Sequence, residues 1–143
     1  MKKQLIFAIL ALCTIITLSA KNNLPPEEES VKKVVTEFIE GIDSRNADQV
    51  ESTILDEGTF ITTNLKNEVE SFTSSELIAN IRSKKLGGWK RNFEISSVEL
   101  NDNIATAKVQ FSTSKVKQFH VLSLILVDGQ WKIASCCANM SKA

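Results

Sequence analysis

The sequence predicts one α+β domain in which three N-terminal helices pack on a curved, mostly antiparallel sheet. Apolar residues recur at helical spacing from Val31 onward, and alternating apolar residues separated by turn signals fill the chain after Gly88. Helices followed by a run of strands are typical of a sheet with helices on one face. The 143 residues, 43% of them hydrophobic, suffice for one folded core and leave little room for a second domain.

Residues 1–20 carry the pattern of a secretory signal peptide. Lys2 and Lys3 form a positive start, an apolar run extends from Leu5 to Leu18, and Ser19-Ala20 supplies small residues for cleavage. An uncleaved membrane anchor is the alternative, but this run is shorter than the roughly 20 residues that a spanning helix needs. We therefore expect cleavage, export to the periplasm or the cell exterior, and no stable membrane span afterwards.

Cys13 offers a further interpretation of this segment, as the acylated residue of a lipoprotein. Leu12 precedes it, where a lipoprotein signal carries a small residue, so a lipoprotein is not expected.

Without residues 1–20, 15 basic and 17 acidic side chains remain, a net charge of 15 − 17 = −2. A nucleic-acid-binding protein usually shows a basic excess, so no nucleic-acid partner is expected.

Cys136 and Cys137 remain after cleavage and are adjacent in the sequence. The α-carbons of neighbouring residues lie about 3.8 Å apart, below the usual disulfide range of about 4.4–6.8 Å. We interpret the two cysteines as small apolar residues on opposite faces of a strand. A strained disulfide between them, or an intermolecular bridge, is the alternative.

Three helices are predicted between a flexible tether at 21–29 and the main sheet, with the folded domain spanning 30–140. The first has amphipathic spacing and closes near Gly41 to Asp43; its apolar residues are Val31, Val34, Val35, Phe38, Ile39 and Ile42. The second ends at Gly58, and its inner side is formed by Ala47, Val50, Ser52, Ile54 and Leu55. Thr73 and Glu76 form a capping box for the third, which Gly87-Gly88 ends.

Strands occupy the rest of the domain. Residues 59–63 and 68–72 form a short pair before the third helix, and 91–100 begins a run of four antiparallel strands. The apolar residues of 91–100 change parity, which requires a bulge near Ser96-Ser97. A turn at 101–103 leads into a strand at 104–114, and Asp128-Gly129 is a hairpin turn between strands at 119–127 and 130–140.

The last hairpin carries His120, the single histidine of the chain. Counting from the Asp128-Gly129 turn predicts four cross-strand pairs: Leu126 with Trp131, Leu124 with Ile133, Leu122 with Ser135, and His120 with Cys137. The first two pairs are apolar, and the face becomes polar at the last two. Histidine is the natural proton carrier near neutral pH, and Asp43 or Asp56 could orient it. The alternative is that His120 lies at a strand end or dimer edge without chemistry.

No metal site and no cofactor are expected. Zinc sites need about three or four ligands, whereas one histidine and two adjacent cysteines supply no spaced pair.

Positive charge is concentrated in one segment, where five cations fall within ten residues: Arg82, Lys84, Lys85, Lys90 and Arg91. A helix C-terminus and an ordinary charged surface explain them, and a patch for an anionic ligand or a membrane surface is the alternative. Trp89 beside them could stack on a ligand or cover the sheet edge.

Four segments carry a resemblance to a known superfamily. They are VKKVVTEFIEGID at 31–43, the strand around Phe60, NIATAKV at 103–109 and LILVDGQWKI at 124–133. In this order they resemble the nuclear transport factor 2-like superfamily and, within it, the group named for lumazine binding. The resemblance implies a cone-shaped fold with a pocket between helices and sheet, commonly assembled as a homodimer through the open sheet face.

That superfamily contains enzymes, such as ketosteroid isomerase, scytalone dehydratase and polyketide cyclases, and many non-catalytic binding domains. This chain has no tyrosine, so the phenol of the first two enzymes cannot be carried over. We therefore expect an exported, non-enzymatic binding or accessory domain for an unknown small molecule. Its predicted pocket lining is Phe38, Phe60, Phe93, Phe111, Leu122, His120 and Ser135.

Two alternatives stay open. The first is an enzyme of the isomerase, dehydratase or cyclase kind, with His120 as general base and Asp43 or Asp56 supporting it. The second is a dimerising structural module whose cone is filled by its own side chains.

Overall fold

A computed structural model describes residues 26–143. Over these residues the elements are α1 (Pro26–Ser44), α2 (Ala47–Thr53), β1 (Ile54–Thr63), β2 (Val69–Thr73), α3 (Ser74–Arg82), β3 (Phe93–Asn101), β4 (Ile104–Ser112), β5 (Val116–Val127) and β6 (Gln130–Lys142). The proposed signal peptide at 1–20 and the tether up to residue 25 lie outside the described residues. Between 26 and 143, no helix is both long and apolar enough to cross a membrane.

All six strands join one sheet in the order β2-β1-β6-β5-β4-β3. Every neighbouring pair is antiparallel except β1 and β6, which run parallel. Helix α1 lies against β3, β4 and β6, and α3 lies against β1 and β2. The predicted α+β class, with three helices on a mostly antiparallel sheet, is confirmed.

Helix α1 begins earlier than predicted. Pro26 to Glu29, assigned to the tether from the sequence, form its first turn. Proline is favoured at the first helical position because its fixed φ suits the helix and its missing N–H has no partner there. The three glutamates that follow stabilise the positive end of the helix dipole.

The second helix ends before the predicted Gly58. Ile54 and Leu55 belong to β1, because Ile54 pairs with Ile133 of β6. Gly58 is buried within β1, and a Cβ there would lie 2.6 Å from the Ser74 hydroxyl, so this glycine permits the close approach of α3. The Ser74 hydroxyl in turn donates to the carbonyl oxygen of Leu55. Gly58 therefore marks a contact between elements and not a helix end.

The capping box of α3 is confirmed. The Thr73 amide donates to the Glu76 carboxylate over 2.8 Å, and the Glu76 amide donates to the Thr73 hydroxyl over 3.3 Å. The helix ends at Arg82, before the predicted stop at Gly87-Gly88. The predicted bulge in β3 and the Asp128-Gly129 turn are also confirmed, since the register shifts between Ile95 and Ser97 and both turn residues have positive φ.

The register of the last hairpin differs from the prediction beyond its first pairs. Leu126 faces Trp131 and Leu124 faces Ile133, as predicted, but a bulge follows at Ala134. Because the extra residue shifts every later position by one, Leu122 faces Cys136 and His120 faces Ala138. The predicted pairs of Leu122 with Ser135 and of His120 with Cys137 are therefore wrong.

The bulge decides which side chains share the concave face of the sheet, on which the helices pack. Leu122, Leu124, Cys136 and Ala138 are buried there. Ser135 pairs with Ser123, the residue between Leu122 and Leu124, and so belongs to the opposite face. We call that opposite face the outer face. It exposes Ile61, Ile104, Phe119 and Cys137.

Candidate functional site

A partly buried ion pair lies where the end of α1 meets the start of β3. The Nε of Arg91 donates to Oδ1 of Asp43 over 2.7 Å, and the backbone amide of Arg91 donates to Oδ2 over 2.8 Å. The two side chains are 17% and 9% exposed, respectively. Both oxygens of Asp43 are therefore used to hold Arg91 in one orientation.

The guanidinium of Arg91 then covers an aromatic ring. Its central carbon lies 4.5 Å from the ring centroid of Phe111 in β4, within the range of a cation–π interaction. The same ring lies 5.8 Å from the ring of Phe93 and 4.7 Å from that of His120. Asp43, Arg91, Phe111 and His120 thus form a continuous set of contacts from α1 to β5.

The contacts end at a buried thiol. Sγ of Cys136 lies 3.7 Å from Nδ1 of His120. Burial, the larger cause, and the positive charge of Arg91 together lower the pKa of His120 to about 4. Burial and, to a smaller extent, Cys137 raise the pKa of Cys136 to about 12, while the positive charge of Arg91 acts in the opposite direction. At neutral pH, imidazole and thiol are both uncharged.

These neutral forms limit what the pair can do chemically. A general base works best with a pKa near the operating pH, and a cysteine nucleophile works as the thiolate. A histidine with a pKa of about 4 is a weak base at pH 7, and a thiol with a pKa of about 12 is almost entirely protonated. The arrangement suits a packed polar cluster better than an acid–base centre.

The carboxylates predicted to orient His120 lie elsewhere. Asp43 is bound to Arg91, as described, and Asp56 is exposed on β1. The contacts of His120 are instead the Phe111 ring and the Cys136 sulfur. Among the described residues, no three His, Cys, Asp or Glu side chains come together in a way that could hold a metal ion.

A cavity of about 310 Å³ opens beside this cluster, at the end of the cone. Its lining comes from the loop before β3, the end of β4, the start of β5 and the turn between them: Trp89, Lys90, Arg91, Asn92, Phe111, Ser112, Thr113, Val116 and Gln118. A second cavity, of about 580 Å³, shares four lining residues with it: Asn92, Phe111, Ser112 and Gln118. We call the smaller one the Trp89 cavity.

Trp89 sits on a loop that the end of α1 fixes in place. Nε and Nη2 of Arg45 donate to the carbonyl oxygens of Leu86 and Lys84, over 3.4 and 3.1 Å. The Gly88 amide donates to the carbonyl oxygen of Asp43 over 3.1 Å. Gly87 has a φ of +77°, and a Cβ on it would lie 1.9 Å from the carbonyl oxygen of Ile42. The loop therefore depends on glycine for its close approach to α1.

The residues predicted to line a pocket separate into three groups. Phe93 and Phe111 line the cavities at the open end, and His120, which is partly buried, contacts Phe111. Phe38 and Phe60 stack with centroids 5.8 Å apart and, like Leu122, are buried in the core. Ser135 belongs to the outer face. The cavities therefore lie nearer to the open end of the sheet than the pocket that was predicted from the sequence.

Several lining residues were not singled out from the sequence. Asn92, Ser112, Thr113, Val116 and Gln118 flank strand ends and carry no motif. Of the five clustered cations, Arg82 pairs with Asp48 and Glu51, and Arg91 pairs with Asp43. Within the described chain, the lysines at 84, 85 and 90 make no ion pair. In the sequence, the signal that pointed to this region was Trp89 beside the cluster of five cations.

Comparison with known proteins identifies a family that matches this chain. The profile of the family described as "Putative lumazine-binding" matches residues 26–137. A search of curated proteins finds no match.

Three solved structures are similar. One is an NTF2-like protein of unknown function from Shewanella baltica OS155, with a TM-score of 0.70 and 14% identity over 82% of this chain and 95% of that one. A ketosteroid isomerase-like protein from Erwinia carotovora atroseptica SCRI1043 has a TM-score of 0.68 and 14% identity over 82% and 98%. A cystatin-like fold protein from Burkholderia xenovorans LB400 has a TM-score of 0.68 and 13% identity over 85% and 96%.

Identities this low relate the folds alone, whereas the family profile spans nearly all of the described residues. The chain therefore belongs to the "Putative lumazine-binding" family, and its fold is similar to that of the NTF2-like structures.

Proposed function

We propose that this protein is a non-enzymatic domain that binds a small molecule in the Trp89 cavity. The observation that carries the proposal is the lining of that cavity, where two aromatic rings and several polar groups converge on about 310 Å³. Ligand sites typically measure about 300–1,000 Å³ and combine apolar walls with a few fixed polar groups. Arg91 is such a fixed group, because Asp43 and Phe111 hold it.

An enzyme of the isomerase, dehydratase or cyclase kind is less well supported. His120 has no carboxylate partner among the described residues, and its pKa of about 4 makes it a weak base. It also packs behind Phe111. In a binding domain, His120 and Cys136 have a simpler role, since they support the ring on which Arg91 rests.

Binding is tested by following the backbone amide signals of the isotope-labelled protein while a library of small aromatic, aliphatic and charged fragments is added. We expect shifts centred on Trp89, Asn92 and Gln118. Ser112→Trp should abolish them, because Ser112 lines the cavity. Ser114→Trp is the matched control, since Ser114 is an exposed serine of the same connection outside the lining. Absence of shifts with every fragment, or equal loss in both variants, would contradict the proposal.

A dimerising structural module is the second candidate, and the filled core interior favours it. Phe38, Phe60 and Leu122 are each less than a tenth exposed and leave the inner cone packed with side chains. This candidate needs no ligand, so the fragment titration separates it from the binding domain. If fragments leave every amide signal unchanged in a stably folded protein, the structural module becomes the better account.

Either candidate is proposed to form a homodimer through the outer face. Apolar side chains lie next to one another on three neighbouring strands of that face. Cys137 of β6 pairs with Ile61 of β1 on one side and with Val121 of β5 on the other. Contiguous exposed apolar surface commonly marks a protein interface. Ile61→Glu should convert the dimer to a monomer in sedimentation experiments. Leu65→Glu should not, because Leu65 is at least as exposed as Ile61 but lies in the turn after β1.

Export is proposed on the strength of residues 1–20, with Lys2 and Lys3 ahead of the apolar run. Expression in the native host followed by intact-mass measurement tests it. A mature protein that starts near Lys21 in the periplasm or medium supports export. A full-length protein retained in the cytoplasm contradicts it.

A further inference from the structure

We infer that the Trp89 cavity is specific for a planar aromatic anion, with its carboxylate on Arg91 and Lys90 and its ring on Trp89. This inference rests on the proposed function, because it names the chemical class of ligand for the same cavity. Three independent features of the lining support it: the unused edge of a fixed guanidinium, an unpaired lysine, and an exposed indole.

The guanidinium supplies directed hydrogen bonds. Asp43 accepts hydrogen bonds from Nε and the backbone amide of Arg91 only. The two terminal nitrogens of the guanidinium make no hydrogen bond with the described residues. Those nitrogens belong to a residue that lines the cavity. A guanidinium has a planar fork of donors that matches a carboxylate, and holding it in place beforehand reduces the entropy lost on binding.

Net charge around the cavity also favours an anion. The lining contains Lys90 and Arg91 and has no Asp or Glu. Asp43 balances the charge of Arg91, whereas Lys90 has no ion-pair partner among residues 26–143 and so contributes an uncompensated positive charge. A neutral ligand of the same shape would forgo this attraction.

Trp89 provides the planar surface. Its side chain is 60% exposed although the backbone beside it is anchored to α1 through Gly88 and Arg45. An exposed indole on a fixed loop offers a flat apolar face without the cost of ordering the loop. Stacked aromatic pairs gain stability beyond that of the area they bury, so a flat ring is preferred over a saturated one.

The test measures the affinity of the full-length protein for three probes by calorimetry. They are 2-naphthoate, the neutral 2-naphthamide of nearly the same shape, and cyclohexanecarboxylate, an anion without a flat ring. We expect 2-naphthoate to bind roughly tenfold or more tighter than 2-naphthamide, because its hydrogen bonds to Arg91 and Lys90 are charge-assisted. We expect it to bind several-fold tighter than cyclohexanecarboxylate, because that probe keeps the charge but cannot stack on Trp89.

Variants assign the preference to residues. Lys90→Gln should reduce the advantage of naphthoate over naphthamide several-fold, whereas Lys85→Gln, an exposed lysine outside the lining, should leave it unchanged. Trp89→Leu should weaken both naphthalene probes and spare cyclohexanecarboxylate. Both side chains are largely exposed, so these variants should fold, and a thermal melt checks that they do.

The outcomes distinguish the two proposals. If naphthoate and naphthamide bind equally in the cavity, the preference for an anion is overturned while the binding function stands. If neither probe binds but other library fragments shift the signal of Trp89, the inference is again overturned alone. If no fragment shifts that signal, the binding function itself fails.

Discussion

Asp43 and Arg91, at the end of α1 and just before β3, are joined at two points across 48 residues of sequence. One carboxylate oxygen accepts from the Arg91 side chain and the other from its backbone amide. The pair therefore fixes both the path of the chain into β3 and the direction of the guanidinium. Fold and candidate site depend on the same contact.

Asp43→Asn should destabilise the protein more than loss of a surface ion pair. The substitution removes the charge next to an Arg91 side chain that is only 17% exposed, and an uncompensated, partly buried charge costs on the order of 2 kcal/mol or more. Glu37→Gln is the control, because its 3.8 Å contact with Lys33 is exposed to solvent and should contribute less than about 0.5 kcal/mol. Urea unfolding measures both. Equal losses would contradict the role assigned to Asp43.

Acid should destabilise the wild-type protein through His120. In the unfolded chain histidine gains a proton near its ordinary pKa of 6.5, but in the folded protein only near pH 4. Stability is therefore full above pH 6.5 and is lost as the pH falls from 6.5 to about 4, by about 3 kcal/mol.

His120→Phe keeps a ring against Phe111 and removes this titration. The free energy of unfolding of the wild type, relative to that of the variant, should fall by about 3 kcal/mol between pH 7 and pH 4. Taking the difference between the two proteins cancels the contribution of the carboxylates, which both share. A constant difference over this range would show that His120 is not held neutral by the fold.

The two adjacent cysteines should react at very different rates. Cys137 is exposed, whereas Cys136 is buried and its pKa is raised to about 12. A maleimide at pH 7.5, with peptide mapping by mass spectrometry, should modify Cys137 in the folded protein and Cys136 only after unfolding. Because Cys137 lies on the outer face, raising the protein concentration should slow its modification if the proposed dimer forms. Rapid modification of Cys136 under native conditions would be inconsistent with this arrangement.

Gly87→Ala should be far more damaging than Gly129→Ala. Their φ values of +77° and +75° are nearly the same, so the strain on an alanine backbone, about 1–2 kcal/mol, is shared. A Cβ at Gly87 would also lie 1.9 Å from the Ile42 carbonyl oxygen, whereas at Gly129 nothing lies within 4 Å. Thermal melts should therefore show a clearly larger loss for Gly87→Ala. A similar loss for both would mean that the loop accommodates the extra carbon.

Local patterns identified most of the fold. The Asp128-Gly129 turn, the capping box of α3 and the bulge in β3 each depend on a few neighbouring residues. The parity of apolar residues revealed the β3 bulge, because Phe93 and Ile95 contrast with Val98 and Leu100. The bulge at Ala134 had no such signal, because residues 134–138 are all small and give no contrast between the two faces.

The candidate site could be predicted only in part. Phe111, His120 and Trp89 were recognised individually from their chemistry. Their arrangement depends on the Asp43–Arg91 contact and on the register shift at Ala134, and neither has a local sequence signature. Gly58 shows the same limit, because a glycine that permits a close contact between elements looks identical in sequence to one that ends a helix.

Soaking crystals of the protein with the fragment library shows whether the Trp89 cavity binds small molecules. We expect electron density for bound fragments between Trp89 and Arg91 in wild-type crystals and not in those of Ser112→Trp. Fragments that collect only on the outer face, while the Trp89 cavity stays open to solvent, would contradict the proposed binding.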